Sequence, residues 1–386
     1  MRNASPLVRH AARAIARALA LTVLAGSVAR AQGTLSAQGF GYPGGQLSSR
    51  SQAVGGSLAE FDPQSPLNPA ALSSPARALV YVQYDPEFRT TAIGGLSSKV
   101  TIARFPAFGI SARAGQMSFG LSFSSYLDRT WSNTYADTIM VGGTRTPTTV
   151  SASSDGGITD VRGAASYAFS DRFIVGLGVH VYPGRNNTAI GRTFQDSTAF
   201  GGFSQSGEIT YAGTALSLGV IATPVDHLNL SLAARLGGTL DVRQGDSTVL
   251  GSARVPNRFG ASVAFDGIAG STFALRWSSE RFSALKGLGS ASLPIRDATD
   301  IGFGAEVLGP KIGISELAFR AGVRSRDLPF SPSGMPVKEL SYSGGLGLPV
   351  AQGRGMLDLG LTHAHRTATG ADETGWIVSI GLSIKP

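Results

Sequence analysis

The chain has 386 residues, 51 of them glycine, and only 15% are charged. Its hydrophobic residues (42%) are neither depleted as in a disordered chain nor gathered into an apolar run of about 18 or more, so the composition excludes a transmembrane helix in the body of the chain and leaves a closed β-barrel as the one way to cross a bilayer. Cysteine is absent, which excludes disulfides, thiolate metal sites and a lipid-modified cysteine anchor.

The first 31 residues carry five arginines (Arg2, Arg9, Arg13, Arg17, Arg30) and no acid. Without them the net charge falls from +8 to +3, 28 bases against 25 acids, so the basicity is not a nucleic-acid signature. Ala18 to Val28 form an apolar block too short to span a bilayer, and Ala29-Arg30-Ala31 fits the small-x-small cleavage rule. An Arg-rich, acid-free segment also suits an amphipathic helix or a transit peptide. The order of apolar block and cleavage site favours a secretory signal over 1–31, with Gln32 as the first mature residue.

Residues 32–77 do not alternate like strands. They are rich in Gly, Pro and Ser, and Pro63, Pro66, Pro69 and Pro75 would interrupt any ladder. Because a strand pattern follows directly, this stretch is expected to be a hatch that folds into a barrel lumen or hangs below it. Within it, a Gly-rich run leads to Asp62, then to Asn68-Pro69-Ala70 and a small apolar residue just before the first strand. This order resembles the N-terminal signature of the FadL-type long-chain fatty-acid transporters and of their PorV/PorQ-type relatives. Val255-Pro256, followed by Gly260 to Phe265, resembles a Pro-then-strand element of the same families. The resemblance implies a 14-stranded outer-membrane barrel with a plug. In the transporters it also implies a lateral opening at a kinked strand; Pro106 and Pro183 are the two candidates here.

From Ala78 onward the dominant period is two. Leu228, Leu230, Leu232 and Leu236 lie on one face of a strand, and Asn229, Ser231, Ala233 and Arg235 on the other. Phe173–Val181, Phe259–Phe265 and Trp376–Ile384 repeat the pattern with Gly, Ser or Ala between the apolar residues. A soluble sandwich needs large inner side chains; an apolar face backed by small and polar residues suits a barrel with lipid outside and a polar lumen. Fourteen segments fit: 78–84, 100–114, 117–131, 157–169, 172–190, 207–222, 227–243, 253–266, 271–282, 298–308, 314–324, 337–350, 353–367 and 373–385. The fold class is therefore all-β, a transmembrane antiparallel barrel over 78–386. Short turns at 170–171, 226–227 and 267–270 alternate with polar loops at 132–156, 191–206, 283–297 and 325–336. Tyr81, Tyr84, Tyr126, Trp131, Tyr167, Phe169, Tyr182, Trp277 and Trp376 fall near strand ends, where interfacial girdles sit.

The small-residue face carries Arg235, Arg258, Arg276, Glu306, Arg320, Arg324, Glu339 and Asp358, which are expected to point into the lumen and either select solutes or pair with one another. His363 and His365 share a face, but two ligands do not make a metal site. No nucleophile elbow, P-loop or H-E-x-x-H is present, so no catalytic residue, metal or cofactor is nominated. The first reading is a non-enzymatic outer-membrane transport protein that moves hydrophobic or small solutes through a plugged barrel, with membrane lipid and a hydrophobic ligand as partners. A non-conducting PorV-like scaffold for a secretion or attachment machinery is the second. An outer-membrane enzyme is the third, to be recognised by a Ser–His contact at the rim.

Overall fold

A computed structural model describes residues 39–73, 78–93, 96–196, 198–244, 248–288, 294–312, 315–331 and 336–385. The expected export signal, its cleavage site at 29–31 and the start of the mature chain lie outside them. Residues 39–73 form the hatch, with one short helix, α1 (Ser49–Ala53), and a 3-10 turn at Pro69–Leu72. The remainder is strand. The first half comprises β1 (Ala78–Ile93), β2 (Leu96–Arg104), β3 (Ala107–Ala114), β4 (Met117–Asp128), β5 (Trp131–Val141), β6 (Thr144–Ser170), β7 (Phe173–Phe194) and β8 (Phe203–Val225). The second half comprises β9 (Leu228–Gln244), β10 (Thr248–Arg254), β11 (Arg258–Ile268), β12 (Ser271–Glu280), β13 (Ala298–Ile312), β14 (Ser315–Leu328), β15 (Val337–Val350), β16 (Gly355–Ala368) and β17 (Ala371–Ile384).

Every ladder is antiparallel, and β1 pairs with β17 from Val80↔Ile384 to Ile93↔Ala371, which closes the sheet on itself. Three strands are each divided in two. β2 and β3 flank Phe105-Pro106 and both pair with β1; β4 and β5 flank Arg129-Thr130 and both pair with β6; β10 and β11 flank Val255-Pro256-Asn257 and both pair with β9. Counted whole, the segments make a closed 14-stranded barrel. Proline has no N–H to give a ladder, and two of the three interruptions contain one.

The alternation sorts the faces as lipid and lumen require. Leu177, Val179, Leu216, Leu218, Leu232 and Leu236 are exposed on the outside, while their neighbours His180, Ser217, Ser231 and Arg235 are buried inside. No helix among the described residues is long and apolar enough to cross a membrane.

Three expectations are corrected. The stretches 132–156 and 191–206 are not simple loops: β5 and β6 form a long hairpin through 144–154, β7 runs to Phe194 and β8 starts at Phe203. Trp131–Val141 sets Trp131, Tyr135, Ile139 and Val141 on one face with Asn133 and Asp137, and Ser132, Thr134, Ala136, Thr138 and Met140 on the other, so a period of two is present but polar residues interrupt its larger face and the segment reads as a polar loop. Second, Tyr81, Tyr126 and Tyr182 are not girdle residues; they are buried in the lumen, whereas Tyr167, Phe169, Trp277 and Trp376 are exposed outside. Third, Pro183 does not break its strand. It sits opposite Ala212 within the continuous β7–β8 ladder, because its missing N–H falls on the side where the β6 ladder skips from Ile158↔Gly184 to Val161↔Val181.

Candidate functional site

The hatch makes a circuit of the inner wall. It begins beside β4, where Tyr42 bridges Asp128 and Gly45 bridges Ser125. Ser49 reaches Tyr81 of β1 and Ser379 of β17, Gly55 N–H donates to Ser343 of β15, Glu60 meets Arg258 of β11, and Asn68 meets Ser231 of β9. Several of the wall positions that the hatch presses against are glycine. A methyl group on Gly345 would meet Ala53, one on Gly322 would meet Val54-Gly55, one on Gly219 would meet Asn68, one on Gly176 would meet Pro69-Ala70, and one on Gly120 would meet Leu72.

The residues singled out in the hatch hold its turns. The Asp62 carboxylate accepts hydrogen bonds from Ser48, from Ser51 Oγ (2.7 Å), from Ser65 Oγ (3.0 Å) and from Gln64 N (3.0 Å), so one acid gathers four donors of the hatch. Asn68 Oδ1 accepts from Ala70 N (2.9 Å), and Asn68 Nδ2 donates to Glu60 O (3.0 Å) and Ser231 Oγ (2.8 Å). It thereby caps the 3-10 turn that Pro69 starts and pins that turn to β9. Ala70 is fully buried, and its backbone lies against Gly176, where the wall has no room for a Cβ.

The eight charged residues singled out on the strands all have partners inside. Arg235 pairs with Glu280, Arg258 and Arg276 with Glu60, and Arg276 and Arg324 with Asp300. Arg320 bridges Glu306 (2.6 Å) and Asp358 (2.6 Å), and Glu306 also takes Arg50 of the hatch (2.7 Å). Glu339 receives Arg326 and Arg366, both at 2.6 Å. Sequence reading missed the hub of this network. Tyr42 lies with its ring under the guanidinium groups of Arg326 (4.6 Å) and Arg366 (4.7 Å), and its hydroxyl donates to Glu339 (2.8 Å). Burial raises the Tyr42 pKa even though the two arginines pull it down, so the phenol keeps its proton. No periodicity marks Tyr42, because the hatch has none.

Toward the end with the long hairpins, the lumen changes character. Tyr126, Tyr182, Tyr211, Leu240, Phe282 and Phe330 form an apolar cluster, with Phe282 brought in by the turn Phe282–Leu288. This cluster touches a break in the wall. At a bulge between Ser125 and Leu127 the end of β4 bends inward, so that Tyr126 and Leu127 are both buried although adjacent. Beyond it β5 pairs with β6, β2 pairs with β1, and among the described residues no ladder joins β2 to β5. The hatch fills the foot of the break: Tyr42 N donates to Asp128 O (2.7 Å), Asp128 N donates to Tyr42 O (3.0 Å), and Arg104 pairs with Asp128. Two spaces beside the hatch hold only about 40 and 70 Å³, and Arg324 and Arg326 line both.

A Ser–His contact also exists. Ser217 Oγ lies 2.8 Å from His180 Nε2, and His180 Nδ1 lies 2.7 Å from Asp160. It is deep in the lumen and not at the rim, Ser217 is 2% exposed, and Asp160 is also bonded by Gln46 of the hatch. The trio ties β6, β7 and β8 to the hatch. His363 stacks near Trp376 (4.5 Å), away from further ligands, and no group of three metal-ligating side chains occurs among the described residues.

Comparison with known proteins gives the architecture a class. No protein-family model and no curated sequence matches the chain. Solved structures do: a toluene transporter of Ralstonia pickettii, TbuX (15% identity, TM-score 0.55), a FadL homologue of Pseudomonas aeruginosa (13%, 0.56) and a toluene transporter of Pseudomonas putida, TodX (13%, 0.55). Each match covers 88% of this chain and 98% of the other. The fold is that of the FadL-type outer-membrane barrels, with a 14-stranded wall and an N-terminal segment inside.

Proposed function

We propose that the protein lies in a bacterial outer membrane and carries hydrophobic solutes into it sideways. The solute settles in the apolar cluster around Tyr182 and Phe282 and leaves through the break between β2 and β5. The carrying observation is the contrast between the two routes out of that cluster. The downward route runs into the hatch and a layer of buried ion pairs, where an apolar solute would have to displace charge partners. The sideways route is bordered by Leu127 and by a wall with no ladder. On this reading residues 39–73 close the lumen, 1–31 direct export, and the lumen charges, including Arg235, Arg258 and Glu339, hold the hatch and do not touch solute. The aromatic-hydrocarbon transporters with the same fold make toluene the first probe.

The test is accumulation of labelled toluene by cells whose lipopolysaccharide-covered outer membrane has no barrel of this type. Expression of the chain raises the uptake rate, and Leu240→Asp, which puts a charge into the apolar cluster, abolishes the gain. Uptake equal to that of cells without the protein sinks the proposal. One observation favours a scaffold for partner proteins instead: the two spaces beside the hatch are too small for toluene, while β5 to β8 raise a broad sheet beyond the barrel. Failure of uptake, joined to capture of a defined partner by that sheet, would establish the scaffold.

A further inference from the structure

The irregularities of the wall from β4 to β11 lie along one line. β4 shifts register against β6 between Ser125 and Leu127, and the chain then leaves at Arg129-Thr130 for β5. β6 skips from Ile158↔Gly184 to Val161↔Val181 against β7. β8 shifts against β9 between Gly213 and Ala215, opposite Leu240 and Gly237. Along β9, β10 gives way to β11 at Val255-Pro256-Asn257. The register joins these places into a crease. Leu127 faces Ile158, Ile158 faces Gly184 and Gly184 faces Tyr211; Gly213 faces Leu240, which faces Ala253. Of these ladders only β7–β8 crosses the crease whole, and there Pro183 has no N–H to give. On the far wall the β14–β15, β15–β16 and β16–β17 ladders run without a skipped pair.

Above the crease the wall is a sheet with two loose sides. At one side β5 pairs with β6 and, among the described residues, with no other strand across the break. At the other, β10 pairs with β9 and rests against the turn Phe282–Leu288, with Gly251 beside Leu288. Within the sheet the strands are cross-tied. Arg192 of β7 pairs with Asp137 of β5 (2.9 Å) and donates to Thr148 of β6 (3.1 Å), and Ser154 donates to Asn186 (3.0 Å). The crease itself is lined by Leu127, Ile158, Tyr182, Tyr211, Leu240 and Val255 of the apolar cluster. Apolar contacts have no fixed direction, so they re-form after a tilt, which a hydrogen-bonded ladder does not. Gly156 at the crease holds φ +116°, and a Cβ there would strike Arg185 O.

We propose that the sheet from β5 to β10 is a rigid flap hinged on this crease, and that its tilting opens the apolar cluster to the outside. The hinge stands on the ladders and their free sides. Its use as the entrance for a hydrophobic solute rests on the transport reading.

The chain has no cysteine, so pairs of nitroxide labels on introduced cysteines report on the hinge directly. Distances are read by pulsed electron paramagnetic resonance on the full-length refolded protein in detergent, at exposed positions. Asn187→Cys with Leu361→Cys joins the flap to the far wall. Leu177→Cys with Leu361→Cys joins the wall beneath the flap to the far wall. Asn187→Cys with Ala136→Cys stays within the flap. A broad or two-peaked distribution is expected for the first pair and narrow ones for the other two. A first pair as narrow as the second means a fixed bend, and a third pair as broad as the first means fraying strands; either overturns the flap. A lock tests its use. A Cβ on Gly287 would lie 4.0 Å from Ala253 Cβ, a span that a disulfide bridges. Oxidised Ala253→Cys/Gly287→Cys should lose the toluene uptake that the wild type confers, and a reductant should restore it. Full uptake by the oxidised variant overturns the flap as entrance. No uptake by the wild type overturns the transport reading, while the label distances still decide the hinge.

Discussion

The grip of the wall on the hatch can be measured at Gly219. A methyl group added there would fall on the side-chain oxygen of Asn68 and within 3.0 Å of Pro69 Cδ. The nearest atoms all belong to Asn68 and Pro69, and the Asn68 side chain is the closest, so Asn68 is the group that must move. Moving it gives up the cap on Ala70 N (2.9 Å) and the bonds to Glu60 O (3.0 Å) and Ser231 Oγ (2.8 Å). Overpacking alone costs about 1–3 kcal/mol, and leaving a buried partner unpaired adds about 1–3 kcal/mol. Gly219→Ala should then destabilise the docked hatch by roughly 2–6 kcal/mol, a factor of about 30 to 20,000 in local opening. Hydrogen exchange at the Ala70 amide reads this directly. The control is Gly163→Ala on β6, two strands away, where nothing lies within 4 Å of the added methyl. Faster exchange in Gly219→Ala and native exchange in Gly163→Ala are expected. Native protection of Ala70 in Gly219→Ala, or the same loss in both variants, would refute the close-approach argument.

Two further expectations concern the lumen hub and the lipid face. Tyr42→Phe removes the proton donated to Glu339 and should cost about 1–3 kcal/mol, seen as a lower temperature at which the folded band is lost on unheated gels; an unchanged transition would show that the hydroxyl is not the hub. Leu177→Arg puts a charge on an outward position that is 60% exposed. It should lower stability by about 2–4 kcal/mol if that position faces the bilayer midplane, measured by folding equilibrium into lipid vesicles, and a neutral result would place Leu177 outside the hydrocarbon.

The barrel was legible in the sequence because two faces in two solvents write a period of two. Leu228 to Leu236 shows it most clearly, and the strand number follows from counting such stretches. In Trp131–Val141 the period of two persists, but Asn133 and Asp137 interrupt its larger face and the hairpin reads as loop. The lumen charges were legible as polar residues on the small-residue face, but their partners were not, since Arg235 meets Glu280 and Arg258 meets Glu60 across register and across the hatch. Pro106 and Pro183 look alike in sequence; only the ladder shows that Pro106 lies at a division and that Pro183 spends its missing N–H harmlessly. Asn68-Pro69-Ala70 was visible as a motif, while its cause lay in Gly176 and Gly219, more than 100 residues away.

The circuit of the hatch has a consequence for assembly. Ser49 is bonded to Ser379, 330 residues downstream, and the first and last strands meet from Val80↔Ile384 onward. Joining such distant segments is entropically costly and slow. The hatch is the earliest described part of the chain to be synthesised, and it touches the wall on both sides of that final seam. It can act as a mandrel, a preformed core on which later strands find their height by the glycines that fit it. A core bonded to both strands of the seam favours their pairing, because it brings together ends that would otherwise have to meet across the whole length of the barrel.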